Sequence, residues 1–137
     1  MALPGPVEHG RVQLTHTVRG PLDVVTAWER YARPALWSTW APQITGVDTV
    51  AERLAAGVAG RVRGPLGVAL PFEVLEVDEV RRTWSWRVHA GPLAVVLEHG
   101  VRPDGDGTAT WLRITAPAAL AVAYLPVAHL ALRRLVR

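Results

Sequence analysis

The chain has 137 residues, of which 50% are hydrophobic and 20% are charged, a composition that fits one globular domain and excludes a largely disordered chain. It contains no cysteine, which excludes disulfides, thiolate metal sites and a cysteine nucleophile, and favours a cytoplasmic location. The net charge of +3 comes from 15 scattered arginines against 12 acidic residues, so no basic run indicates a nucleic-acid partner.

The N-terminal part predicts a tail followed by one strand. Met1 to Glu8 lacks the basic segment and apolar stretch of a signal peptide, and we interpret it as a flexible tail of a single domain spanning residues 1–137. The next segment alternates apolar and polar residues with the period of a half-buried strand. Its apolar positions are Val12, Leu14, His16 and Val18.

Two short helices are predicted after this strand. Asp23–Tyr31 has the apolar spacing of an amphipathic helix, and Pro34 ends it. A second helical turn is predicted over Ala35–Trp40, and Pro42 stops it. The large aromatic residues of this turn are Trp37 and Trp40.

From Gln43 onward the sequence predicts a β-meander. The candidate strands are Ile44–Val50, Val58–Arg63, Val68–Val77, Thr83–Ala90, Ala94–Arg102 and Thr108–Thr115. Glycine, proline and aspartate turn signals separate them, and such short connections join antiparallel neighbours. Together with the first strand they predict a seven-stranded antiparallel sheet.

The turns at Gly91-Pro92 and at Asp104–Gly107 fix a register for the last three strands. The resulting inward pairs are Trp84–His99, Trp86–Leu97, Val88–Val95, Leu97–Ile114, His99–Leu112 and Val101–Thr110. On the other face Glu98 meets Arg113, an opposite-charge pair that supports this register. The register of the preceding strand stays undecided, because a one-residue slip would exchange its inner and outer faces. One face holds Phe72, Val74 and Glu76, and the other holds Glu73, Leu75 and Val77.

The last apolar segment, Ala116 to Leu132, predicts a helix. A membrane-spanning helix needs roughly 20 apolar residues, and this segment is shorter and contains Pro126 and His129. We therefore predict a buried helix, with Pro117 in its first turn and a kink at Pro126.

Four phrases of the sequence occur in a characteristic order. They are Pro21-Leu22-Asp23-Val24-Val25 with Trp28, Trp37-Ser38-Thr39-Trp40-Ala41-Pro42, Val74-Leu75-Glu76-Val77-Asp78 with Arg81, Arg82 and Trp84, and Asp104-Gly105-Asp106-Gly107-Thr108 before Thr110 and Trp111. In this order they resemble the SRPBCC superfamily, also called START-like or Bet v 1-like, and within it the polyketide cyclase/dehydrase-like branch. The resemblance spans nearly the whole chain. It implies an α+β helix-grip fold, in which a curved seven-stranded antiparallel sheet surrounds a long C-terminal helix and two short helices join strands 1 and 2.

The resemblance also implies a cavity between the sheet and the final helix, used in this superfamily for lipids, hormones, polyketides and other apolar ligands. Relatives range from polyketide cyclases and lipid carriers to Rieske oxygenase domains, so the fold does not decide the function. The oxygenase pattern of histidine and carboxylate iron ligands is missing, and no cofactor is implied. The closing helix ends at Arg137 and contains Pro126, which leaves open how tightly it caps the cavity.

Two histidines are candidates for chemistry. His16 and His99 both fall on apolar strand faces, and the helix-grip topology would bring the first and last strands together, so they could share the pocket. A pocket imidazole can transfer protons or polarise a carbonyl. The alternative for His99 is burial satisfied by a backbone carbonyl or by Thr110. No His-x-x-His, His-x-x-x-His or clustered carboxylate pattern points to a metal, and no Gly-x-Ser-x-Gly motif points to a serine nucleophile.

The six tryptophans can supply a flat apolar wall for a ligand, or they can fill the core. The pocket candidates are Trp37, Trp40, Trp84 and Trp86, whereas Trp28 is assigned to core packing. The other predicted ligand-binding residues are His16, Phe72, Leu97, Thr110, Leu112 and Tyr124. Trp111 is predicted to face outward as a candidate oligomer contact.

A pocket arginine is a further candidate, because aromatase and cyclase relatives tend to place one on the strand that holds Arg61 and Arg63. An arginine facing the cavity could hold a carboxylate or an enolate, whereas on the outer face it only adds charge. The outer face is favoured for both residues.

The leading hypothesis is a polyketide cyclase/dehydrase-like protein that orients an apolar, partly oxygenated ligand for cyclisation or dehydration. His99 would transfer the proton, assisted by Glu76 or Glu73 if the strand register turns either one inward. The alternative is a non-catalytic carrier or binder of a lipid or apolar metabolite. A third hypothesis is an interaction module that docks through Trp111 and the C-terminal helix. The expected partner is an apolar small molecule, and neither nucleic acid nor a membrane is expected. The sequence leaves the oligomeric state undecided.

Overall fold

A computed structural model of the protein describes residues 10–137, which form a curved antiparallel sheet closed by one long helix. The predicted tail, Met1 to Glu8, lies outside the described residues. The strands are β1 (Arg11–Gly20), β2 (Gly46–Asp48), β3 (Ala59–Arg63), β4 (Ala69–Asp78), β5 (Thr83–Ala90), β6 (Leu93–Asp104) and β7 (Gly107–Pro117). The helices are α1 (Val24–Ala32), α2 (Trp37–Trp40) and α3 (Ala118–Leu135), with 3₁₀ turns at Pro34–Leu36 and Pro65–Gly67.

The sheet order across residues 10–137 is β1-β7-β6-β5-β4-β3-β2, and every neighbouring pair is antiparallel. The first strand therefore closes beside the last, which confirms the predicted helix-grip architecture. The register predicted for the last three strands is also confirmed, with His99 lying opposite both Trp84 and Leu112. The predicted outer pair is present as well, and the Arg113 guanidinium lies 3.8 Å from the Glu98 carboxylate.

Strand β4 resolves the register that the sequence left open, because it contains a β-bulge. Val74 pairs with Trp86, but the next paired residue is Glu76, which lies opposite Ser85. The extra residue, Leu75, reverses the alternation beyond this point. Neither predicted face therefore holds along the whole strand: Phe72 and Val74 are buried on the inner face, whereas Glu76 is exposed.

Helix α1 is started by a side-chain cap and held by its buried face. The Asp23 carboxylate accepts a hydrogen bond from the Thr26 backbone N–H at 2.9 Å, and this bond lowers the pKa of Asp23. At the buried end the Tyr31 hydroxyl hydrogen-bonds the Thr110 hydroxyl of β7 at 2.7 Å. The Tyr31 backbone carbonyl then accepts from the Trp37 indole at 2.8 Å, which fixes α2 against α1.

Helix α3 covers the concave face but is not wholly buried, which corrects the prediction. One stripe packs inward: Ala121, Ala128, Ala131, Leu132 and Leu135. The opposite face is open, and Val122 is 60% exposed. Pro117 is the N-cap rather than a first-turn residue, and at the other end Arg30 donates to the backbone carbonyls of Arg134 and Leu135. By length and composition alone α3 could cross a membrane, although 28% of it is buried within the domain.

Candidate ligand cavity

A cavity of about 290 Å³ lies between the concave face of the sheet and α3. Pockets that hold drug-sized molecules commonly run from roughly 300 to 1,000 Å³, so this space suits a small ligand. Five strands contribute branched aliphatic side chains to it, and we call this set the aliphatic wall: Val62, Leu70, Val88, Val95, Leu97 and Ile114.

The other side of the cavity comes from α3 and from the segment after α2. Its residues are Gln43, Ile44, Leu120 and Tyr124. The exposed residues Arg63, Pro65 and Val68 also border the cavity, which places its mouth at the β3–β4 connection. Val62 points inward, and both of its arginine neighbours are exposed. Arg63 reaches only this rim, where its guanidinium lies 3.2 Å from the Asp48 carboxylate.

Beside the cavity the interior is filled by a second set of side chains, the aromatic cluster: Tyr31, Trp37, Trp40, Phe72, Trp84 and Trp86. Neighbouring rings in this cluster have centroids 5.1 to 5.8 Å apart, within the range of favourable aromatic pairs. All six are buried. Trp28 is also buried, and its indole donates to Glu79 at 2.7 Å, in agreement with its assignment to the core.

A small chamber of about 30 Å³ separates the aromatic cluster from α3. It shares Gln43, Ile44, Trp86 and Tyr124 with the larger cavity, so the two spaces adjoin. Its other walls include Trp37, Trp40, Trp84, His99 and Leu112. A space of this size admits a group about as large as one water molecule.

His99 lies at this chamber as a buried, neutral imidazole. Its side chain is 7% exposed and stacks on Trp84 with ring centroids 4.8 Å apart. The Trp86 indole N–H donates to His99 Nε2 at 3.2 Å. Burial lowers the pKa of His99 to about 3, because desolvation penalises the charged form. The ring is therefore neutral near pH 7 and keeps one N–H proton, which weakens the proton-transfer role expected from the sequence; that role stays a prediction.

The two carboxylates proposed as assistants point away from the interior. Glu76 is exposed beyond the bulge of β4. Glu73 lies on the outer face and accepts a hydrogen bond from Arg87 at 2.6 Å, which lowers its pKa. The bulge explains why the Glu76 side chain points outward, and ordinary strand alternation explains the outward direction of Glu73. The condition attached to their catalytic role is therefore not met.

His16 does not share a pocket with His99. It lies on the concave face, opposite Leu112, but at the edge of the sheet. Its Nε2 forms a 2.8 Å hydrogen bond with Nδ1 of His129 on α3. His16 lines neither interior cavity.

The remaining predicted residues divide between wall and core. Leu97 lines the larger cavity, Leu112 lines the chamber, and Tyr124 lines both. Phe72 packs against Trp37 and Trp86 without lining either space. Thr110 binds Tyr31 and the Gly100 carbonyl, so it is structural and does not satisfy His99. Trp111 is half-buried on the outer face, above Gly100, rather than fully exposed.

Three buried side-chain atoms have no hydrogen-bond partner within residues 10–137: Gln43 Oε1, Trp84 Nε1 and His99 Nδ1. All three residues line the chamber. Gln43 uses its Nε2 to donate to the Tyr124 hydroxyl at 2.9 Å, and burial raises the pKa of Tyr124. In the same described part of the chain, no three histidine, aspartate or glutamate side chains lie close enough to share a metal ion.

Sequence reasoning missed most of the aliphatic wall. Val62, Leu70 and Val88 fall on predicted strands, but Leu97 is the one member of the wall among the predicted ligand-binding residues. The available signal was the Val88–Val95 pair, where the inward face changes from tryptophan to valine near a hairpin turn. Gln43 gave no signal, because it lies in the short segment between α2 and β2.

Comparison with known proteins agrees with this geometry. A sequence model of the family described as "Polyketide cyclase / dehydrase and lipid transport" matches residues 11–137. The fold is similar to the crystal structure of Ara h 8.0201, with a TM-score of 0.74, 12% identity and coverage of 92% of this chain and 95% of that chain. At this identity the likeness concerns the fold alone. A search of curated proteins gives no significant match. The family description and the cavity support an apolar ligand in general terms.

Proposed function

Because the chain belongs to the polyketide cyclase/dehydrase and lipid transport family, we propose that it binds and carries an apolar small molecule in the cavity behind the aliphatic wall. The proposal is supported by the lining of that cavity, which offers six branched aliphatic side chains and few polar atoms. Burial of ligand carbon against this wall removes apolar surface from water, and that is the driving force for binding.

The chemistry of the ionisable groups at the two cavities is the observation that favours a carrier over an acid–base enzyme. Among the described residues these groups are Arg63, His99 and Tyr124. His99 is neutral at physiological pH, the raised pKa of Tyr124 keeps its phenol protonated, and Arg63 stays at the rim in an ion pair. Neither His99 nor Tyr124 is an effective acid or base near neutral pH.

Cyclisation or dehydration by orientation is the second candidate function. It is favoured by the unpaired Nδ1 of His99, because a neutral imidazole N–H can polarise a carbonyl without giving up its proton. In this case the cavity would hold a flexible ligand in a reactive conformation, and the protein would contribute shape and one or two hydrogen bonds.

One experiment separates the two functions. The protein is purified without organic solvent, its retained small molecule is extracted and identified by mass spectrometry, and the molecule is added back to emptied protein. A carrier returns it with unchanged mass and retention time. Cyclisation by isomerisation gives an equal mass with a new retention time, and dehydration gives a mass lower by one water. Failure to retain any small molecule, together with failure to bind any apolar probe, would contradict both functions.

A further inference from the structure

The three unpaired polar atoms of residues 10–137 are not scattered. Gln43 Oε1, Trp84 Nε1 and His99 Nδ1 all belong to residues that line the chamber of about 30 Å³. An unpaired buried polar group is costly, and natural interiors hold few of them. Three such groups around one small space indicate that this space is built to receive a polar group that none of the described residues supplies.

The hydrogen-bond network fixes which of these atoms are donors. An indole N–H can only donate, so His99 Nε2 must accept the bond from Trp86 and carries no proton. In the neutral imidazole the proton then lies on Nδ1, which makes Nδ1–H a donor. The burial that keeps this ring neutral supports the same assignment. Trp84 Nε1–H is a donor by its chemistry.

The chamber has the wrong chemistry for a charged group. Its described lining contains no arginine, and apart from Gln43, His99 and the Tyr124 hydroxyl it consists of aromatic rings and of isoleucine, leucine and alanine side chains. Moving a carboxylate into such a space without a cation costs far more than moving a neutral oxygen. Two donors therefore favour a neutral acceptor, and the volume admits about one oxygen-bearing group.

We propose that the small chamber recognises a single neutral oxygen, a ketone carbonyl or a hydroxyl, at the end of an otherwise apolar ligand. His99 Nδ1–H and Trp84 Nε1–H donate to this oxygen, and a hydroxyl can in addition donate to Gln43 Oε1. Trp86 is a positioning residue, because its N–H holds His99 in the required tautomer. The inference rests on the proposed function, since it assigns a ligand class to the same interior.

The test uses three naphthalenes of one shape. Acetylnaphthalene carries a ketone, isopropenylnaphthalene replaces the ketone oxygen by a methylene group, and naphthoate carries a carboxylate. Titration calorimetry is expected to show that the wild-type protein binds the ketone about three- to tenfold more tightly than the methylene compound, and more tightly than naphthoate. The ratio of the first two affinities should fall towards one in Trp84→Phe and in His99→Phe.

Trp111→Phe is the matched control, because it removes an indole N–H from the outer face of the sheet, and it should leave the ratio unchanged. A second readout needs no variant: the carbonyl stretch of bound acetylnaphthalene should lie below its frequency in hexane, as expected for a hydrogen-bonded ketone.

The outcomes separate the inference from the proposed function. Equal affinity for the ketone and the methylene compound, a carbonyl stretch at its hexane frequency, or tighter binding of naphthoate would each overturn the oxygen site and leave the apolar carrier intact. A preference for the ketone that persists in both pocket variants would also overturn it. Failure of every probe to bind would overturn both proposals.

Discussion

The aromatic cluster and the aliphatic wall lie side by side under the same sheet, yet the first fills its space and the second encloses a cavity. In the cluster, rings from α1, α2, β4 and β5 interlock until a chamber of about 30 Å³ is left. Along the wall, valines and leucines on the same sheet stop short of α3 and leave about 290 Å³. Cavity volume here follows from small side chains, whereas the large rings fill the space beside it by close packing.

From the sequence the tryptophans are candidates for both core packing and ligand contact, whereas in the structure a separate set of aliphatic side chains lines the larger cavity. Trp37 illustrates this, because it is fully buried, stacks on Trp84 and donates its N–H to a backbone carbonyl. Such a residue stabilises the fold, and only the part of it that lines the small chamber is available to a ligand. Mutations in the aromatic cluster should therefore lower stability, whereas mutations in the aliphatic wall should lower ligand affinity.

The largest effect is expected for the aromatic cluster. Trp37→Ala should lower the free energy of unfolding by about 3–5 kcal/mol, because it removes a buried indole and leaves a cavity. Denaturant titration checks this value. Trp111→Ala on the outer face is the matched control and should cost less. A loss below about 1 kcal/mol for Trp37→Ala would contradict the core role assigned to the cluster.

The opposite pattern is expected for the aliphatic wall. Leu97→Trp should fill the cavity and weaken binding of acetylnaphthalene by at least about tenfold, while the free energy of unfolding changes by about 1 kcal/mol, because the added ring enters open space. Calorimetry and denaturant titration measure the two effects. The volume-conserving Leu97→Met should retain binding. Unchanged affinity in Leu97→Trp would place the ligand elsewhere.

The pH dependence of the free energy of unfolding should test whether His99 is held neutral in the folded protein. The pKa of His99 is about 3 in the folded protein against an ordinary value of 6.5, so as the pH falls the unfolded chain takes up this proton first. The His99 contribution to stability is complete above about pH 6.5 and is lost towards pH 3, with a slope of up to about 1.4 kcal/mol per pH unit.

Comparison of variants isolates this slope from the acid sensitivity of the paired carboxylates. His99→Gln should flatten the pH dependence of unfolding between pH 6 and 4, roughly the window given by the His99 pKa shift. Trp111→Phe, which alters the outer face of the sheet without changing a titratable group, should leave the slope unchanged. Equal slopes in wild type and His99→Gln would show that His99 is not held neutral by burial.

The smallest effect is expected on the outer face. Glu98 and Arg113 support the register but lie 3.8 Å apart at side chains that are 35% and 44% exposed. Solvent screens such a pair, so Arg113→Gln should cost about 0.2–1 kcal/mol in unfolding and leave ligand binding unchanged. A measurable loss of ligand affinity in Arg113→Gln would mean that the outer face is energetically coupled to the cavity.

The sequence predicted the sheet well because its signals were local. Hairpin turns and alternation placed His99 opposite Trp84 and Leu112, and Asp23 and Pro34 delimited α1. The bulge in β4 could not be predicted, because a single extra residue leaves almost no pattern in the sequence. It nevertheless determines that the Glu76 side chain lies on the outer face.

The site was predicted less completely, because a cavity is a property of what the side chains do not fill. Periodicity identified the inner face but gave no measure of the gap to α3, so Leu70 and Ile114 looked like ordinary core residues. The behaviour of His99 also depends on its surroundings: its neutral state comes from full burial, and its tautomer comes from Trp86, which is a neighbour only across strands.

The most direct test of the account is to locate a bound apolar molecule. A crystal of the protein soaked with bromonaphthalene should show the anomalous signal of bromine inside the cavity, in contact with the aliphatic wall at Val88, Leu97 or Ile114. Bromine on the open face of α3 or on the outer face of the sheet, with no signal in the cavity, would contradict it.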